Sequence, residues 1–189
     1  MAKTKLFASI GVGLLGLVAV FSLVVATRPS RFHVERSAPV PAPPELVFPL
    51  IDDFHRWPEW SPWEKLDPAM KREYSGATSG PGATYEWAGN DDVGRGRMRI
   101  TDSQAPARVA IALDFIEPWQ ASNTTLFSIA PGPAGATVTW GMDGESNFMF
   151  KAISLFMDMD SMVGKDFEEG LANLARVAQA EAVRRAAPR

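Results

Sequence analysis

The sequence predicts an α+β domain: one curved antiparallel sheet of six or seven short strands, a long carboxy-terminal helix, and a single apolar helix ahead of both. Three observations predict it. Between Arg31 and Asp143, short alternating runs succeed one another with Gly, Pro, Asn and Asp between them. Beyond Asp143 the apolar period lengthens to that of a helix, with Val163, Phe167, Gly170, Leu171, Leu174, Val177 and Ala178 on one stripe. From Leu6 to Thr27 no residue is charged.

That apolar run comes first in the chain. At ~1.5 Å per residue it reaches ~33 Å, enough for a bilayer core, so residues 1–29 are expected to be a single transmembrane anchor and 30–186 the folded domain. A cleaved signal peptide is the competing reading, because Val24-Val25-Ala26 suits cleavage; its apolar core is usually only about 7–15 residues. Lys3 and Lys5 precede the run, and Arg28, Arg31 and Arg36 follow it. The expected arrangement has the amino terminus in the cytoplasm and the domain on the other side of the membrane.

Composition narrows the chemistry. The 189 residues are 46% hydrophobic and 22% charged, with a net charge of −3, which offers nucleic acid no basic field. There is no cysteine, which excludes disulfides, thiolate metal sites and a cysteine nucleophile. Only His33 and His55 are present, too few for a multi-histidine centre. No phosphate loop, dinucleotide fingerprint or metal-ligand spacing occurs, so neither a metal nor a cofactor is expected.

Arg31 to Val40 reads as the first strand, stopped by the prolines that follow. Pro43-Pro44-Glu45 starts a short helix through Leu46, Val47, Leu50, Ile51 and Phe54, which Pro49 should bend. Asp53 to Pro68 then packs three tryptophans and three prolines into one connection. Three indoles are too much apolar surface for water, so this loop must fold over a core or the mouth of a cavity. Strands are expected at 71–75, 83–89, 94–102, 109–115, 122–130 and 136–143. If Gly89 pairs with Gly94, then Glu86 lies opposite Arg97, Trp87 opposite Gly96 and Tyr85 opposite Met98. Phe148 to Met157 is apolar almost all round, implying burial or membrane contact. The terminal helix should start near Asp160-Ser161, either of which suits a cap.

The segments Ala42-Pro-Pro-Glu-Leu-Val-Phe48, Trp57-Pro-Glu-Trp-Ser-Pro-Trp63, Glu64-Lys-Leu-Asp-Pro68 and Val163-Gly-Lys-Asp-Phe-Glu-Glu-Gly-Leu171, in this order of elements, resemble the START/Bet v 1-like helix-grip superfamily. The wording is similar to its polyketide cyclase/dehydrase-like (SRPBCC) branch with an amino-terminal membrane span. The resemblance implies a curved sheet wrapped around the terminal helix with a hydrophobic cavity between them. Members bind lipids, sterols, polyketides or other apolar molecules, and some are enzymes.

On that fold the ligand would meet Tyr85, Trp87, Met98, Phe115, Trp140 and Met142 from the sheet, with Phe167 and Leu171 from the helix. Trp57, Trp60, Trp63 and Phe148 would form the portal. A solid core is the alternative; Gly94, Gly96 and Gly170 favour a void, because each removes volume from the inward side. Arg95, Arg97 and Arg99 alternate on one face, either solvated beside Glu86 or docking anionic headgroups. Asp52 with Asp53, and Asp158 with Asp160, can be drawn as acid/base pairs, but helix capping and termination explain them better. Ser61 lacks the Gly-x-Ser-x-Gly context of a hydrolase. No catalytic constellation is evident, so the expected function is a membrane-anchored binder of a hydrophobic small molecule or lipid. The alternatives are a cyclase/dehydratase-type enzyme using His55, Tyr85 or Glu86, whose mark would be a buried carboxylate or His facing the cavity, and a partner-docking module.

Overall fold

The computed structural model describes residues 2–146, 148–156 and 158–187, the side chains of 2–12 and 159 excepted. The chain forms two compact units, Met1–Phe32 with Ser146–Asp158, and His33–Glu145 with Met159–Arg189.

In chain order the elements are α1 (Ala2–Ala26), β1 (Arg31–Val40), α2 (Pro44–Asp52), two 3-10 turns (Phe54–Glu59 and Pro62–Lys65), β2 (Lys71–Gly76), β3 (Ala83–Ala88), β4 (Arg95–Gln104), β5 (Arg108–Glu117), β6 (Ala121–Gly132), β7 (Gly135–Glu145), α3 (Phe148–Ile153) and α4 (Met159–Ala186).

The first unit holds α1 and α3. Leu14, Leu15, Leu17, Val20 and Leu23 on α1 are 63–71% exposed. Among the described residues no helix is long and apolar enough to cross a membrane. The expected anchor begins at Leu6, and its part up to Val12 lies outside the described side chains. Phe148 to Met157 is not one helix. It is α3 followed by a turn, and Phe148, Met149 and Phe156 are exposed; Met157 lies outside the described residues.

The second unit is the sheet with α2 and α4. Strand order is β1-β7-β6-β5-β4-β3-β2, a run of hairpins with β1 returning beside the last strand. The β3–β4 register is the expected one: Glu86 opposite Arg97, Trp87 opposite Gly96, Tyr85 opposite Met98. Gly89 N donates to Gly94 O at 2.9 Å across the turn. Gly94 has φ +61°, a left-handed geometry that glycine adopts without strain. Thr101 is an extra residue between the pairs Ile100–Ile111 and Asp102–Ala110, a bulge of the kind that bends a strand.

Alternation decides what faces inward. Met98, Ile100, Val109, Ile111, Phe127, Val138, Trp140 and Met142 are buried along four successive strands. On α4, Phe167, Leu171, Leu174 and Ala178 form the buried stripe that the sequence spacing requires. Trp140 of β7 stacks on Phe167 with centroids 4.2 Å apart and planes 7° from parallel, which seats the helix on the inward face. Arg36 of β1 fastens the start of α4, with Nε donating to Glu168 and Nη2 to Asp160, both at 2.9 Å. Because α4 begins at Met159, Asp160 and Ser161 lie within its first turn and are not its cap. The carboxylate of Asp160 serves Arg36 instead.

In α2, Pro44 occupies the first turn and Pro49 the interior, as the sequence reading has it. Pro49 lies on the exposed side, and the carbonyl it leaves without a donor is that of exposed Glu45, within reach of water.

Candidate functional site

The tryptophan connection is built from the end of α2. The last carbonyls of a helix lack intrahelical donors. Here Trp57 Nε1 donates to Ile51 O at 3.0 Å and Trp60 Nε1 to Leu50 O at 2.9 Å. The two indoles therefore close the helix end while their rings, 4.8 Å apart, fill the space beside Phe127 and Trp140. Trp60 is fully buried, and it belongs to the packed core instead of a portal. Trp63 is half-buried and stands edge-on to Trp140 (5.7 Å) and Phe167 (6.3 Å).

Beyond Trp63 lies a cavity of about 230 Å³. That exceeds the ~150 Å³ hollow known to admit benzene in an apolar core, and falls just under the ~300 Å³ at which drug-sized pockets begin. Tyr85, Trp87, Met98, Phe115, Trp140, Met142 and Phe167 line it, together with Trp57, Trp63, Leu113 and Val163. Leu171 does not; it is fully buried one turn further along α4. Phe148 belongs to the other unit, where it is 55% exposed.

The glycines act as space, but indoles occupy it. A Cβ on Gly96 would overlap the Trp87 ring, and one on Gly170 would come within 2.7 Å of Trp140. Gly94 serves the turn and lies against the Glu117 backbone. None of the three opens the hollow; the rings that define its walls lie over two of them.

Polar groups missed in the sequence also face the cavity. Glu64, Asp166, Asp92, Ser61 and Thr125 belong to the lining. Glu64 is 8% exposed. Its Oε1 accepts from Tyr85 Oη at 2.6 Å and its Oε2 from Arg72 Nε at 2.7 Å. Arg72 also donates to Met70 O and Glu64 O, at 2.8 and 3.2 Å. A buried carboxylate is tolerable only when paired and hydrogen-bonded, and Glu64 is both. Burial, then the hydrogen bond to Glu64, raise the pKa of the Tyr85 hydroxyl far above its ordinary range, so it remains a donor. The hydrogen bond to Glu64 likewise raises that of Arg72. Trp140 Nε1 is buried and, among the described residues, has no acceptor. The signal that could have found Glu64 is its place directly after Trp63 in the Trp-Pro motif, with Arg72 eight residues on.

Other candidates stand elsewhere. His55 does have an orienting partner: Nδ1 lies 2.8 Å from Asp53 Oδ1, and its ring stacks on Tyr74 at 4.2 Å. The pair is half exposed and outside the cavity lining, and the same Asp53 oxygen caps the first 3-10 turn. Asp52 instead accepts from Ser103 Oγ at 2.5 Å, so the two adjacent aspartates do not act on one proton. Glu86 is exposed. Arg97 pairs with Asp114 (3.2 Å) and Arg95 approaches Glu117 (3.8 Å), partners on β5 where the sequence pointed to Glu86. His33 is exposed and bonded to Asp143, and that hydrogen bond leads the upward shift of its pKa. Among the described residues no cluster of His, Asp or Glu has the makings of a metal site.

A sheet folded over one long helix, with an aromatic hollow between them, defines a helix-grip domain. The pattern of the family described as "Polyketide cyclase / dehydrase and lipid transport" matches residues 31–179. The chain belongs to this family, and with it to the SRPBCC superfamily. Solved structures share the fold at low identity. One is protein CV1439 from Chromobacterium violaceum (15% identity, TM-score 0.56, covering 80% of this chain and 98% of that one). Another is an uncharacterized protein from Rhizobium leguminosarum (16%, 0.58, 79% and 95%). A third is Ara h 8.0201 (12%, 0.53, 82% and 99%). No curated protein matches the chain.

Proposed function

We propose that this protein binds a small apolar molecule, about the size of one or two fused rings, in the hollow between the sheet and α4. The observation that carries the reading is the partly open cavity of about 230 Å³ walled by tryptophan, phenylalanine and methionine side chains. Affinity comes from apolar burial at ~25 cal/mol per Å². Orientation comes from the few polar groups on the wall, among them the Trp140 N–H, which is buried and has no partner among the described residues. The volume favours a ring-sized guest over a whole sterol or diacyl lipid.

The test is uptake of a naphthalene-type fluorescent probe by the full chain in lipid nanodiscs stripped of co-purified ligand, with empty nanodiscs as the blank. Saturable uptake is expected. Leu113→Trp, which fills the hollow from β5, should abolish it while the far-ultraviolet circular dichroism is unchanged. Uptake indifferent to that change would overturn the reading.

One observation favours a second reading, an enzyme of the cyclase/dehydratase type: a buried carboxylate, Glu64, lines the cavity. Both its oxygens are engaged by Tyr85 and Arg72. Proton transfer would require one of those bonds to open. Glu64→Gln separates the readings, since a binder keeps uptake and an enzyme loses turnover.

Membrane anchoring belongs to the same proposal. It rests on the uncharged run from Leu6 to Thr27 and on the exposed leucines and valines of α1. The full chain should stay with membranes in alkaline carbonate, with an intact amino terminus by mass spectrometry. Release, or cleavage after Ala26, would refute the anchor without touching the cavity. Protease protection of the domain in sealed vesicles reports which side it occupies.

A further inference from the structure

We propose that the cavity selects a cationic guest, an apolar ring or short chain bearing an amine or quaternary ammonium, over neutral or anionic molecules of the same shape, with Asp166 as the counter-charge. The inference rests on the cavity being a ligand site and specifies what enters it.

The charge inventory of the wall is one-sided. It contains Glu64, Asp92 and Asp166, and no lysine, arginine or histidine. Glu64 is already neutralised by Arg72 from behind. Asp92 lies exposed on the β3–β4 turn. Asp166 is different. It lies on α4 directly before Phe167, is only partly exposed, and makes no hydrogen bond or ion pair among the described residues. The charge that acts on it is Glu169, of like sign. A carboxylate half withdrawn from water with no counter-ion is unfavourable in the empty protein, and a cation in the hollow would relieve it. Burial, then Glu169, raise the pKa of this carboxyl above its ordinary value, the direction expected of a group awaiting a positive charge.

The rest of the wall suits the same guest. Trp63, Trp140 and Phe167, the last next to Asp166 in the chain, meet one another, and Trp87 contacts both Tyr85 on β3 and Phe115 on β5. Ring faces carry negative charge density and attract ammonium groups, most of all when water is excluded. An anion would find a donor free among the described residues, the Trp140 N–H, but it would also meet these faces and an unpaired carboxylate, and both repel it.

The experiment compares three probes with one naphthalene body: naphthylmethyl-trimethylammonium, naphthylmethanol and naphthoate. Each is titrated into the full chain in neutral-lipid nanodiscs at low salt. The ammonium probe should bind about tenfold more tightly than the alcohol, and naphthoate most weakly. Asp166→Asn should bring the ammonium probe down to about the affinity of the alcohol, with an unchanged far-ultraviolet circular dichroism spectrum certifying the fold. Naphthoate binding as tightly as the ammonium probe, or an Asp166→Asn protein that keeps the preference, would overturn the proposal. If the alcohol binds and the ammonium probe does not, the cavity is a ligand site of another class. If none of the three binds, the ligand-site reading itself falls.

Discussion

At the scale of single residues, the volume left out at Gly96 and the charge buried at Glu64 set the walls of the cavity. A methyl group at Gly96 has no free direction, since Trp87 covers it and the Asp114 carbonyl lies 2.7 Å away. Gly96→Ala should therefore destabilise by about 1–3 kcal/mol, the usual range for overpacking, read as a lower urea midpoint with unchanged slope. An unaltered midpoint would mean that Trp87 is free to leave its place. Glu64 acts through its partners. Glu64→Ala removes the acceptor for the Tyr85 hydroxyl and strands the Arg72 guanidinium, three-quarters buried, without its anion. The expected loss is about 3–5 kcal/mol, as for other broken buried pairs, and Glu64→Gln should recover part of it because the amide oxygen still accepts. The sequence made Gly96 legible as room for an indole, because pairing Gly89 with Gly94 puts Trp87 opposite it. It did not reveal Glu64, since a buried acid leaves no periodicity and its partners lie 8 and 21 residues away.

At the scale of elements, what was readable is what repeats locally. The β3–β4 register followed from period-two alternation closed by Asn90 to Val93, and α4 from a stripe four turns long. What remained hidden depends on contacts between elements. Trp57, Trp60 and Trp63 were evident as a loop that must bury itself, yet nothing local shows that Trp57 and Trp60 cap α2 while Trp57 and Trp63 line the cavity. Asp160 reads as a cap in isolation and is an anion for Arg36 in the fold. The loop makes a clean test of this division. Trp60→Phe keeps most of the ring but leaves the buried Leu50 carbonyl without its donor. We expect a loss of about 1–3 kcal/mol for that unsatisfied group, with probe uptake retained because Trp60 does not line the cavity. Trp63→Phe should do the opposite, changing uptake with little effect on the denaturation midpoint. If Trp60→Phe were neutral, the helix end would have to be satisfied by water.

At the scale of the whole molecule, the pH dependence of stability is a balance of shifted carboxylates, and its sign follows from the direction of each shift. The pKa of Asp166 is raised by burial and then by Glu169, and that of Asp52 by burial against the opposing Ser103 hydrogen bond. A carboxyl whose folded pKa exceeds its unfolded one contributes stability that is complete below the unfolded value and is lost as pH rises through the folded value. Asp114 works the other way, lowered by the Ser122 hydrogen bond and then by Arg97; its contribution is present above the unfolded value and is lost as pH falls through the folded one. The parent protein therefore carries opposing slopes, and removing one charge exposes the other. Asp166→Asn should equal the parent below the ordinary carboxylate range and exceed it in stability at neutral pH, measured by urea denaturation of ligand-free protein across a pH series. The same substitution is expected to abolish the preference for the ammonium probe, so stability of the empty state and selectivity of the filled one are set against each other by one side chain. Parent and variant curves that run parallel at every pH would show that Asp166 is fully solvated, and would remove the electrostatic reason for a cationic guest.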